Sequence, residues 1–162
     1  MSFSTCDLCD RFPDRIHVLA PILRHYGGRM RFAGPIATIK CFEDNVFIRE
    51  AAVEEGRGRV MVIDGGGSLR SALVGDGIAE WARDHGWAGM IIHGCVRDTV
   101  PLAKIDFGVM AMAVNPVTPG KRGVGGRDVP VTFGDVRFVP GEYVYCDEDG
   151  VVVAAGRLDV FT

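Results

Sequence analysis

Residues 74–98, VGDGIAEWARDHGWAGMIIHGCVRD, hold two groups whose chemistry suits one small acid. At the front, Gly75-Asp76-Gly77 opens a helix-like run. A helix N-terminus offers unpaired N–H groups and a partial positive charge, which bind carboxylates. Glycine lets a ligand come close to the backbone. At the back, an apolar run ends on Arg97-Asp98. Arginine grips a carboxylate with a two-pronged fork. The adjacent Asp98 cannot serve the same anion, but it can hold a divalent cation, Mg²⁺ or Mn²⁺, with several waters retained. Together these residues would seat a small anionic oxo acid chelated to a metal. Each also has a plainer reading. Asp76 would serve as a helix N-cap worth about 1 kcal/mol, Arg97-Asp98 as a solvated ion pair at a strand end, and the nearby Gly65-Gly66-Gly67 as a turn.

The elements that must position these residues follow from hydrophobic patterning. VMVID (60–64), GMIIHG (89–94) and FGVMAMAV (107–114) are unbroken apolar runs, expected for strands covered on both faces. IAEWARDHG is amphipathic, with Ile78, Trp81 and Ala82 on one face and Gly86 as terminator. SLRSALV reads as the start of a helical turn that GDG interrupts, and VRDTVPLAKID as a short helix or turn. Strand–helix–strand–helix–strand over 60–114 predicts a pair of βαβ units. Ligands of open α/β sheets lie beyond the carboxyl ends of the strands. Three loops occupy that edge: Asp64-Gly65-Gly66-Gly67, Arg97-Asp98 and Asn115-Pro116.

The flanks read differently. Residues 4–10 predict a short helix, 16–24 a strand-like run broken by Pro21, and 29–42 strands around a Gly34-Pro35 turn. DNVFIREAAVEEG has loose helical spacing ending at Gly56. Residues 115–128 are Gly/Pro/basic and loop-like, and 129–154 predict several short antiparallel strands between tight turns. The expected fold is a single α/β domain, residues 1–162, with a mixed sheet core and antiparallel C-terminal strands.

Composition excludes several functions. With 162 residues the chain buries roughly 68–70% of its unfolded surface without disulfide or metal staples. The net charge is −3 and no Lys/Arg run exceeds two, so no direct nucleic-acid contact is expected. The N-terminal segment is too polar for a signal peptide and no apolar run reaches membrane-spanning length. A cytoplasmic protein without a membrane partner is expected. The five cysteines are odd in number and suit reduced thiols. Cys6-x-x-Cys9 lacks the second pair a zinc site needs and is expected on or near the first helix. Residues 65–70, GGGSLR, match neither phosphate-binding glycine motif. His93 is expected as a satisfied core histidine and His85 as a helix-dipole partner. Cys95 has no evident base beside it.

CFEDN (41–45), GRGRVMVIDGGGSLRSALVGD (56–76), GWAGMIIHGCVRD (86–98) and DFGVMAMAVNPV (106–117) resemble the RraA-like proteins, over about residues 4–160. That family includes a regulator of ribonuclease E activity and the class II 4-hydroxy-4-methyl-2-oxoglutarate aldolases. The resemblance implies a swivelling β/β/α, phosphohistidine-domain-like fold, assembled as a homotrimer or stacked hexamer. The aldolases carry an Asp, twenty intervening residues, then Arg-Asp, and Asp76 with Arg97-Asp98 matches that spacing. The resemblance makes Asp98 the ligand of Mg²⁺ or Mn²⁺ and Arg97 the group that contacts the substrate and steadies an enolate. Asp76 would orient a water for proton transfer. The backbone of Gly75, Asp76, Gly77 and Ile78 would receive the carboxylate of a 2-oxo acid. It implies cleavage of 4-hydroxy-4-methyl-2-oxoglutarate to two pyruvates, with oxaloacetate decarboxylation through the same pyruvate enolate. The alternative it implies is a non-catalytic regulator that binds and inhibits ribonuclease E. Two departures stand out. Many relatives carry an acid where this chain has Pro101, and some aldolases supply an acid from a longer tail of a neighbouring subunit, not expected from a sequence ending at Thr162.

Overall fold

A computed structural model describes residues 2–160, so Thr162, on which the tail expectation rests, lies outside the described residues. In chain order the elements begin with α1 (Thr5–Arg11), β1 (Ile16–Val18), β2 (Arg24–His25), β3 (Phe32–Cys41), α2 (Val46–Ala52) and β4 (Val60–Asp64). The centre continues with β5 (Ala72–Val74), α3 (Asp76–Asp84), β6 (Gly89–Val96), α4 (Thr99–Leu102) and β7 (Gly108–Val114). The last strands are β8 (Gly125–Arg127), β9 (Val131–Phe133), β10 (Val136–Phe138), β11 (Tyr143–Cys146) and β12 (Val151–Ala154). No helix among them is long and apolar enough to cross a membrane.

Strands β3, β4, β6 and β7 are parallel neighbours, as the βαβ reading requires. Successive side chains of a strand point to opposite faces, and both faces here are apolar. On one face Ile39, Ile63, Ile92 and Ala111 pack under Ile48 of α2 and Ala79 of α3. On the other, Ile36, Val62, Ile91 and Met110 meet Val144 of β11, Val153 of β12 and Phe133 and Phe138 of the β9–β10 hairpin. The outer side of β11 and β12 carries Tyr145 and Val152, closed by Leu8 of α1. The result is a mixed α/β domain in which one large mixed sheet supplies both facing β layers, β4–β6–β7 on one side and β11–β12 on the other, with the small antiparallel β9–β10 sheet beside the latter and helices outside.

Strand β3 joins the two layers, and here the expected Gly34-Pro35 turn is absent. Phe32–Pro35 pairs antiparallel with β11, and Ile36–Lys40 pairs parallel with β4. The Ile36 N–H points to β11, bonding Glu142 O at 2.8 Å. The missing Pro35 N–H therefore faces the other way, short of where β4 begins, and costs no ladder bond. A side chain at Gly34 would run into the Gly58 carbonyl, so glycine permits the close crossing. Two further expectations change. Residues 72–74 are not helical but form β5, because β6 offers them a free edge. Residues 115–128 are not all loop: β8 pairs with β3, and Asp44 bridges to Gly120.

Two buried carboxylates fasten the flanks. Asp147 accepts from the Thr5 N–H at 2.7 Å, the Thr5 hydroxyl at 2.6 Å and the Asp149 N–H at 2.9 Å, tying α1 to β11. Asp44 accepts from the N–H groups of Val46, Arg122 and Gly123, holding the 115–128 segment against α2. Burial pushes each carboxyl upward, but the donors together outweigh it and hold both below the ordinary range. Their contribution to stability is therefore complete above the unfolded carboxyl value of about 3.9 and is lost as pH falls through the lower folded values. Urea titrations from pH 6 to pH 2.5 should show this loss. Asp147→Ala should remove about 2–4 kcal/mol at pH 7 and flatten the pH dependence, since it orphans buried donors. An unchanged midpoint would exclude the clamp.

Candidate active site

Strand β6 has two successive neighbours on one side. It pairs with β4 from Gly89 to His93 and then with β5 at Cys95 and Val96. The Arg97 N–H closes the ladder on the Val74 carbonyl at 3.0 Å. The residue after β5, Gly75, is thereby set against the residues after β6, Arg97 and Asp98. Gly75 is the N-cap of α3, and Asp76 stands one position inside the helix, so Asp76 is not the cap. Its Oδ1 instead accepts the Gly77 N–H at 2.9 Å. The expected carboxylate cradle is narrowed accordingly. The Gly77 N–H is already engaged, while Ile78 packs in the core and also lines the cleft.

Asp98 adopts a left-handed conformation, φ 58° and ψ 44°, unusual for a residue other than glycine. This turns its carboxylate toward Gly75, where any Cβ would strike Asp98 Oδ2. Asp98 and Arg97 are each roughly two-fifths exposed and form an ion pair at 3.8 Å. That separation leaves the carboxylate lone pairs open. Arg97 Nη1 also donates to the Pro116 carbonyl at 3.5 Å. Among the described residues no cluster of three His, Cys, Asp or Glu side chains could hold a metal. One hard carboxylate in a half-open cleft fits an Mg²⁺-like ion that keeps most of its waters, and does not fit a structural zinc.

The predicted residues therefore meet. Gly75, Asp76, Gly77, Ile78, Arg97 and Asp98 all line one cleft of about 180 Å³. Sequence reasoning missed further residues of its lining: Asn45 and Arg49 of the α2 segment, Trp81 of α3, and Lys121. Arg49 lies over the Trp81 ring at 5.3 Å. Asn45 belongs to the CFEDN motif, the one signal that could have pointed to it. A larger hollow of about 650 Å³ opens elsewhere, lined by Asp14, His17, Arg137 and Glu142. It contains none of the converging residues, and convergence rather than volume identifies the site.

Two of the three candidate loops take other roles. The glycine turn folds back on β6, with the N–H groups of Gly65 and Gly67 on the His93 carbonyl, both at 3.1 Å. His93 is only half-buried. It sits 3.4 Å from Asp64 and is stacked flat on Phe133 at 4.7 Å. Asn115 braces the third loop by donating to Leu69 O at 2.7 Å and accepting from Val117 N at 2.8 Å. His85 Nδ1 lies 2.7 Å from the Trp81 carbonyl at the end of α3, as expected. Cys95 is fully buried and burial raises its thiol, which makes it a poor nucleophile. Cys6 and Cys9 lie on α1. The Cys6 thiol is raised by its hydrogen bond to Asp149, and the Cys9 thiol by burial and Asp10.

The family model RraA-like, described as Aldolase/RraA, matches residues 5–153. A protein of Alkalilimnicola ehrlichii named "Putative 4-hydroxy-4-methyl-2-oxoglutarate aldolase" is 52% identical over 158 residues, covering 98% of each chain. A protein of Pseudomonas syringae pv. tomato with the same name has the same identity and coverage. Among solved structures, the RNA-processing inhibitor RraA from Thermus thermophilis superposes with a TM-score of 0.94 at 41% identity, covering 99% of this chain and 97% of that one. A protein of Geobacillus kaustophilus HTA426, named "S-adenosylmethionine: 2-dimethylmenaquinone methyltransferase", also gives 0.94 at 50% identity, covering 96% and 97%.

The cleft is open to a direct binding test. Malonate should change the fluorescence of half-exposed Trp81, with the change absent in Trp81→Phe. Arg97→Ala should weaken malonate binding by about tenfold or more, the scale of a charged hydrogen bond. Unchanged affinity would remove Arg97 from the anion site.

Proposed function

The chain belongs to the RraA-like family, and from that premise we propose that it is a divalent-metal-dependent lyase. Its reaction is the cleavage of 4-hydroxy-4-methyl-2-oxoglutarate to two pyruvates, with oxaloacetate decarboxylation as a second activity. The observation that carries this reading is the meeting of Arg97, Asp98 and the first turn of α3 in one small cleft. Its volume of about 180 Å³ suits a compact acid and falls below the roughly 300 Å³ at which pockets for drug-sized ligands begin. That argues against an adenosylmethionine-sized cofactor here.

In the reaction, the substrate carboxylate lies at the α3 N-terminus, held by backbone N–H groups and the helix dipole. Arg97 holds the keto oxygen and stabilises the negative charge that grows there as the C3–C4 bond breaks. Asp76, beside the same turn, holds the water that takes the C4 hydroxyl proton and then returns a proton to C3 of the enolate, giving the second pyruvate. Asp98 is the residue that would hold Mg²⁺ or Mn²⁺, and the bound ion supplies Lewis acidity toward the carboxylate and keto oxygens. Decarboxylation of oxaloacetate uses the same Arg97 contact, because it too leaves a pyruvate enolate. Assembly of copies of the chain into a trimer or stacked hexamer belongs to the same reading, as the family resemblance implies.

The likeness to an RNA-processing inhibitor supports a second reading, a regulator that binds ribonuclease E. A pure binding protein has no use for the Asp76–Arg97–Asp98 set, so the lyase is preferred. A pull-down with ribonuclease E tests the regulator directly.

With Mg²⁺ or Mn²⁺, the protein should release pyruvate from both keto acids above the metal-only background. EDTA and Asp98→Ala should each abolish the excess. Gly75→Ala should lower kcat/KM by about a hundredfold with little change in melting temperature, because the added methyl displaces the Asp98 carboxylate. Background rates from the metal-saturated wild type would end the lyase reading.

A further inference from the structure

Asn45 is 4% exposed and lines the cleft. It occupies the N-cap of α2, the position where an asparagine oxygen ordinarily accepts a backbone N–H of the first turn. It makes no such bond. The residue before it, Asp44, accepts the Val46 N–H, one position short of where a cap reaches, at 3.1 Å. The Asn45 amide is turned instead toward β5, where Nδ2 donates to the Leu73 carbonyl at 3.2 Å. A carbonyl can face only the nitrogen end of an amide, so this bond fixes the orientation and leaves Oδ1 as the free end. Oδ1 is buried and has no partner. Buried acceptors are normally satisfied, and of the three unpartnered buried side-chain atoms among the described residues, Asn45 Oδ1 is the one carried by a residue that lines the cleft.

The chemistry of that donor is restrictive. At neutral pH a dicarboxylic 2-oxo acid has only acceptor oxygens. A 4-hydroxy-2-oxo acid adds one donor, the hydroxyl on the carbon that departs in retro-aldol cleavage. In 4-hydroxy-4-methyl-2-oxoglutarate that carbon also carries the second carboxylate. Asn45 and Arg49 lie four residues apart and both line the cleft, so an acceptor and a cation stand about one turn apart. We infer that Asn45 Oδ1 accepts a hydrogen bond from the 4-hydroxyl as the substrate binds, selecting the hydroxylated acid before that hydroxyl turns to the water held by Asp76, with Arg49 beside it for the second carboxylate. The inference rests on the lyase reading and adds the residue that distinguishes a hydroxylated substrate from oxaloacetate, which lacks the hydroxyl.

The experiment compares kcat/KM for cleavage of 4-hydroxy-4-methyl-2-oxoglutarate with that for oxaloacetate decarboxylation, in wild type, Asn45→Leu and Asn45→Ser. Asn45→Leu should depress cleavage at least about tenfold more than decarboxylation. Asn45→Ser, which keeps an acceptor and serves alone if the leucine variant does not fold, should recover part of that ratio. Equal losses in both reactions, or an unchanged ratio, would overturn the inference and mark Asn45 as a brace for Leu73. Wild type inactive on both acids would overturn the lyase reading and this inference with it.

Discussion

The site depends on strand β6 changing partners partway along its length. Strand β4 stops at Asp64, opposite His93, and β5 takes over at Cys95. A register irregularity in the pairing with β7, between Ile92 and Cys95, accompanies the exchange. A strand that kept one partner throughout would leave its neighbour's crossover helix starting one layer away from its own end. Because β5 is only three residues long, α3 begins immediately beyond it. The Arg97 N–H to Val74 O bond then fixes the helix N-terminus against Arg97 and Asp98. The left-handed turn at Asp98 and the missing Cβ at Gly75 are consequences of that closeness.

A protein with net charge −3 thus builds a cationic cleft. Arg97 stands near the α3 N-terminus, and Arg49 and Lys121 line the same cleft. Low-dielectric walls concentrate such a field, which draws a small dianion in while the overall charge keeps other surfaces acidic. The acidic groups that could oppose it are occupied. Asp44 is consumed by backbone donors, and Glu43 pairs with Arg70. Asp98 and Asp76 are the carboxylates left to the cleft, one suited to a cation and one to a water.

Much of this was legible in residue order. Three buried parallel strands showed as unbroken apolar runs because both sheet faces are covered. The Gly75-Asp76-Gly77 and Arg97-Asp98 groups followed from where such runs end. The errors have a common cause: β3 and β5 are set by neighbours distant in the chain. Pro35 looks like a turn until β11 and the late start of β4 make its missing N–H harmless. Ala72–Val74 looks helical until β6 offers an edge. For Gly65–Gly67, which residue order leaves open between a ligand loop and a plain turn, the His93 carbonyl gathers the N–H groups of Gly65 and Gly67 and makes it a turn.

Short-range chemistry is written locally. A capping turn, an arginine fork and an apolar period each involve residues a few positions apart, and for these the chain order suffices. Asn45 shows the opposite case. Its sequence neighbours suggest only a helix cap, and nothing in CFEDN says that the cap goes unused. That became visible once Leu73, twenty-eight residues away, claimed the amide nitrogen and left the oxygen buried without a donor. Residue types and spacing determined what kind of acid this protein could hold. Long-range hydrogen bonding, which must satisfy every buried polar group at once, decided which side chains surround it.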